Sequence, residues 1–113
     1  MRILHAALAA VLVASVGAPV LAAERISDVA LLRASRCLGL AKSENLGVVE
    51  TSTLAAFVKA QSRGREPLVR NRANAAEQTA RSQAAKARDE AKARLIAERD
   101  GVCRAMVEPS AGT

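Results

Sequence analysis

The chain has 113 residues, of which 25% are charged, and a formal net charge of +6. It holds one histidine and one phenylalanine, with no tyrosine or tryptophan. That length suits one small domain, and that composition lacks the usual parts for imidazole catalysis and for stacking on nucleic-acid bases.

Taken in chain order, the first predicted element is a targeting segment. Arg2 and the amino terminus make a short positive region, and residues 6–16 make an apolar run. Gly17 and Pro19 then interrupt it before Val20, Leu21 and Ala22, where small side chains suit signal peptidase. The pattern predicts a cleavable signal peptide over residues 1–22, and therefore an exported protein that is secreted or periplasmic after cleavage. The alternative is an uncleaved anchor, because residues 3–23 carry no charge and are about long enough to span a bilayer.

Removing Arg2 leaves 16 Lys and Arg against 11 Asp and Glu, a net charge of +5. A basic balance favours acidic partners or anionic surfaces and says nothing about fold. The two cysteines, Cys37 and Cys103, lie 66 positions apart and form no CxxC motif. In an exported chain they read as one structural disulfide. Closing a loop of that length stabilises a fold by about 4 kcal/mol in the chain-entropy picture. Two free thiols or an intermolecular bridge are the competing readings.

A first helix is predicted over residues 26–42, with Ser27 as N-cap and Asp28 in the first turn. Val29, Leu32, Cys37 and Leu40 fall on one side, and Leu31 and Leu38 on another, so this helix is expected to be covered on two faces. Asn45 and Gly47 mark a connection. A second helix follows over residues 52–63, with capping hydroxyls on Thr51, Ser52 and Thr53. Its Leu54, Phe57, Val58 and Gln61 share one face, and Phe57 is expected in the core. Gly64 ends it, and Pro67 suits the first turn of the next helix.

From Pro67 to Asp100 there is neither Gly nor a further Pro, and Ala, Arg, Glu, Gln and Lys dominate. One long helix is predicted over residues 67–107, about 60 Å in length. Glu77 with Arg81, Glu90 with Arg94 and Asp100 with Arg104 stand at i, i+4 spacing. Val69, Ala73, Ala76, Ala80, Ala84, Ala87, Ala91, Leu95, Val102 and Met106 form a stripe close to an 11-residue repeat, which stays on one side of a nearly straight helix.

The fold class is therefore all-α: two short helices packed along one long Ala/Arg-rich helix, as a helical hairpin or small bundle, with one disulfide. The disulfide strains this picture. Cys103 would lie about 56 Å from the Gly64 turn, so the connection after the first helix must be nearly extended. Otherwise the long helix bends back near Arg88 and Asp89. The continuous helix is the favoured reading. Residues 108–113 are expected to be a disordered tail.

The chemistry that remains is limited. His5 leaves with the signal peptide, so Ser–His–acid and Cys–His catalysis are excluded from the mature chain, as are His-containing zinc sites. Asp89 with Glu90, and Glu98 with Asp100, read as a solvated charged face. The composition points to a protein that is not an enzyme and needs no cofactor, with no metal site and no nucleic-acid partner. One cluster stands out as a candidate anion-binding patch: Lys59, Arg63, Arg65, Arg70 and Arg72. Arg70 and Arg72 lie near a helix start, where cations are mildly disfavoured.

Three functions fit these parts. The first is a non-enzymatic binding or interaction protein of the cell envelope, including a chaperone-like one, acting on another envelope protein or an anionic surface. The second is a basic protein of membrane surfaces or anionic polymers. The third is a structural helical spacer. If export and cleavage occur as predicted, the protein recovered from the extracytoplasmic fraction has a non-reduced mass starting at Ala23 and short by two hydrogens. A full-length mass in the membrane fraction would indicate an anchor instead.

Overall fold

The computed structural model describes residues 24–108. The predicted signal peptide and residues 109–113 of the predicted tail lie outside the described residues. Among the described residues the structure is helical, with no strand. Helix α1 spans Asp28–Ala41, a 3-10 turn Glu44–Leu46, α2 Ser52–Ser62 and α3 Pro67–Lys86. Helix α4 spans Asp89–Glu98 and runs through a π turn at Arg99–Cys103 into α5, Arg104–Val107.

Helix α1 is the centre of the fold. The Ser27 hydroxyl accepts the Ala30 N–H at 3.0 Å and starts the helix as its N-cap. Leu31, Ala34, Leu38, Leu40 and Ala41 are buried, so the helix is covered on more than one face, as its sequence implies. The others pack around it. Arg65, just before α3, meets Asp28 at the start of α1, and Asn45, just beyond the end of α1, meets Ala84 and Ala87 at the end of α3. Helices α1 and α3 are therefore parallel. Helix α2 runs back between them in sequence, and its Gln61 sits beside Ile26. The core is aliphatic: Leu46, Leu54, Val58 and Leu95 close around α1. Phe57 is only partly buried and packs on the edge of this core.

The alanine stripe packs against α1 over its first part. Ala73, Ala80 and Ala84 are buried. Their small side chains allow α1 to approach closely at Gly39, where an added Cβ would lie 2.8 Å from the Ala80 Cβ and still closer to the Glu77 carbonyl oxygen. Ser35, one turn earlier on α1, is buried with its hydroxyl unpartnered, so this side of α1 uses small residues for their size.

The continuous long helix is overturned. Ala87 and Arg88 are extended, with φ/ψ of −73°/141° and −137°/159°, and Asp89 takes a left-handed φ of 53°. Asp is among the few residues that accept such a backbone at low cost. Three tertiary contacts hold the corner. The Asn45 amide donates to the Ala84 and Ala87 carbonyls at 2.8 and 3.0 Å, satisfying acceptors that the end of α3 leaves open. Leu95 is buried. Cys103 reaches Cys37 with Sγ atoms 2.04 Å apart and Cα atoms 5.4 Å apart, at disulfide-bonding distance. Beyond the corner the stripe is kept only in part: Leu95 is buried and Met106 packs half-buried against the core, whereas Ala91 and Val102 are exposed.

Two local expectations also change. The hydroxyls before α2 do not cap it from Thr51; instead the Glu50 carboxylate accepts from the Ser52 hydroxyl and from the Thr53 N–H. Glu77 and Asp100 do not form their i, i+4 pairs with Arg81 and Arg104, because Glu77 binds Lys42 at 2.7 Å and Asp100 binds its neighbour Arg99 at 2.9 Å.

Gly39 gives the sharpest test of the packing. In an isolated helix Gly→Ala is stabilising by about 1 kcal/mol. Here Gly39→Ala is expected to have the opposite sign, because the methyl group overpacks a closed interface at a cost of about 1–3 kcal/mol. Thermal unfolding followed by circular dichroism should show a Tm lower by about 5–15 °C. An unchanged or raised Tm would contradict the close approach.

Candidate functional site: the basic end of the bundle

Three segments meet at one end of the molecule: the residues before α1, the end of α2, and the start of α3. Their junction is built by Arg65 and Gln61. Arg65 donates to Asp28 Oδ1, the Ile26 carbonyl and the Gln61 carbonyl at 2.7, 2.7 and 2.8 Å. The Gln61 amide donates to the Glu24 carbonyl at 2.7 Å and accepts the Ile26 N–H at 3.1 Å. Gln61, grouped by helical spacing with the apolar face of α2, is thus a buried polar tie between chain segments.

This arrangement sorts the five predicted patch residues. Arg65 leaves the patch, because its side chain is only 7% exposed and is committed to Asp28. Its role is to join α1, α2 and α3. Lys59, Arg63, Arg70 and Arg72 are exposed. Arg70 is drawn to this end by a 3.0 Å bond from its Nη1 to the Arg65 carbonyl. Arg25 joins them, donating to the Arg63 carbonyl. Pattern reading missed Arg25 because it precedes the first helix and lies 38 positions from its partner. Arg25, Arg63 and Arg70 therefore stand at the junction, with exposed Lys59 one turn before Arg63 on α2 and exposed Arg72 early in α3; the exposed carboxylates there are Glu24 and Glu66, with Asp28 paired to Arg65. Leu68, in the first turn of α3, is 58% exposed beside them.

The opposite end is a set of structural ion pairs. Arg36 on α1 holds Glu98 on α4 through two bonds, Nε to Oε2 at 2.7 Å and Nη2 to Oε1 at 2.9 Å, and its Nη1 donates to Gln83 Oε1 at 3.1 Å. The guanidinium holds the Glu98 carboxyl below its usual range, and the carboxylate in turn raises Arg36. Asp100 is likewise lowered by its bond from Arg99, whose Nη1 donates to the Leu46 and Gly47 carbonyls at 2.7 and 3.1 Å. The acidic pairs read from the sequence as a solvated face are in part clamps on the corner.

A groove of about 340 Å³ runs beside the Cys37–Cys103 pair, lined in part by Val49, Leu54, Arg99 and Arg104. A shallower notch of about 280 Å³ lies inside the corner, with Lys86 and Arg94 on it. Among the described residues no group of three or more His, Cys, Asp or Glu is placed to hold a metal ion, and no helix is long and apolar enough to cross a membrane. No protein-family model matches the chain, and neither a curated protein nor a solved structure matches it.

The Arg36–Glu98 clamp predicts a pH dependence. Because folding lowers the Glu98 pKa, its contribution is complete above the usual value near 4.5 and fades as pH falls through the lowered one. Both side chains are about one-third exposed, so screening holds the contribution to about 1 kcal/mol. Glu98→Gln should lower Tm at neutral pH and show a smaller further loss than wild type on acidification below about pH 4.5. Parallel acid limbs in the two proteins would contradict the clamp.

Proposed function

We propose that the protein is a small exported binding protein without enzymatic activity, and that its basic end engages an anionic partner. One observation supports this reading most directly. Five exposed cations from three chain segments gather around a junction that is itself tied by hydrogen bonds. Arg25 and Arg70 also donate to backbone carbonyls of the junction, yet both side chains remain exposed. Arg65 joins the segments and Asp28 balances it, while Lys59, Arg63, Arg70 and Arg72 face solvent. A concentrated positive field of this kind raises the local concentration of anions and speeds encounter with them. The chaperone-like reading has less support, since the large exposed apolar side chains are scattered: Val29, Val48, Leu68 and Val102.

The test separates a localised site from net charge. The triple variant Arg63→Glu, Arg70→Glu, Arg72→Glu is compared with a charge-matched control, Arg81→Glu, Lys86→Glu, Arg94→Glu, on immobilised polyphosphate at about 0.1 M salt, where exposed charges more than about 10 Å apart are largely screened. The first should lose retention with Tm changed little, and the control should keep most of it. Equal losses would mean that net charge alone acts.

A further inference from the structure

We infer that the basic end docks on the headgroup surface of an anionic phospholipid bilayer, with Leu68 entering the interface. The inference rests on the anionic-partner reading above and specifies the source of the anions.

Two observations favour a surface over a soluble anion. First, neither of the two grooves described above is built from the cations. Neither the groove beside Cys37 and Cys103 nor the notch inside the corner contains Arg25, Lys59, Arg63, Arg70 or Arg72. An array spread across the end of a bundle can meet many headgroups at once, whereas a small anion needs convergent donors. Second, Leu68 stands among these cations with 58% of its surface exposed. Proteins that lie at a bilayer interface combine cations with apolar side chains, the first attracted to anionic lipid and the second to the acyl boundary. A soluble polyanion offers Leu68 nothing.

The opposing charges are few. Glu24 and Glu66 are exposed at the same end, and Asp28 is neutralised by Arg65. Five exposed cations outnumber these two carboxylates, so attraction to an anionic leaflet persists at moderate salt and weakens as salt rises.

Vesicle co-sedimentation of the chain from Ala23 onward, the form expected after cleavage, tests the inference. Vesicles of phosphatidylcholine with about 30% phosphatidylglycerol should bind at least tenfold more tightly than pure phosphatidylcholine, because each basic residue near an anionic surface multiplies partitioning by about five. The Arg63→Glu, Arg70→Glu, Arg72→Glu variant should lose that difference, and the Arg81→Glu, Lys86→Glu, Arg94→Glu control should keep it. Leu68→Ser should weaken vesicle binding about fivefold and leave retention on polyphosphate unchanged. Equal binding to both vesicle types, or no effect of Leu68→Ser on vesicles, would overturn the inference. Retention on polyphosphate without vesicle binding would overturn it too, while sparing the anionic-partner reading. Loss of both would overturn both.

Discussion

Everything beyond Lys86 is arranged by the need of one segment to return to α1. Cys37 sits in α1, and with α1 packed parallel to α3 Cys103 reaches it because the helical run from Pro67 turns back on itself. The turn falls at Ala87, Arg88 and Asp89, where the chain becomes extended and then left-handed. No Gly or Pro marks this position. It is stabilised from outside: Asn45 satisfies the carbonyls that α3 leaves open, Arg36 binds Glu98, and Arg99 caps the carbonyls of Leu46 and Gly47. Local helix propensity favours continuity here, and it is outweighed by several tertiary contacts acting together.

The core itself is modest. Its single aromatic residue lies at the edge, and its interior is leucine, valine, alanine and the cysteine pair. A domain of this size buries a limited share of its surface, so close backbone approach and cross-links matter more than usual. Gly39 and the alanines of α3 supply the first, replacing large knobs with contact between backbones. The sulfur pair supplies the second, closing a loop that spans most of the described chain. Arginine adds a third layer. Arg36, Arg65 and Arg99 each join segments far apart in sequence through several donors at once, which a planar five-donor guanidinium does better than lysine.

Arginine therefore has two roles in one composition. Some guanidiniums are consumed by the fold, and others remain at the surface: Arg25, Arg63, Arg70 and Arg72 at the end where α2 meets α3, and Arg33, Arg81, Arg88, Arg94 and Arg104 elsewhere. The distinction carries the functional reading, because only the second group can meet a partner. It also explains why net charge alone is a poor guide: Arg65 adds to the formal charge and nothing to the patch, while Arg25 adds to the patch from outside any predicted helix.

Helix identity, the Ser27 cap, the start of α3 at Pro67, the two covered faces of α1 and the pairing of the cysteines were all legible in the sequence. Each depends on local propensity, capping chemistry or the simple arithmetic of two cysteines. The corner, the glycine contact, the Glu50 cap and the division of arginines between struts and surface were decided only by the tertiary structure. The physical reason is the same in each case. A one-dimensional pattern records what a residue prefers with its neighbours a turn away, whereas Asn45 with Ala87, Gly39 with Ala80, and Arg65 with Asp28 are brought together by packing across more than thirty positions.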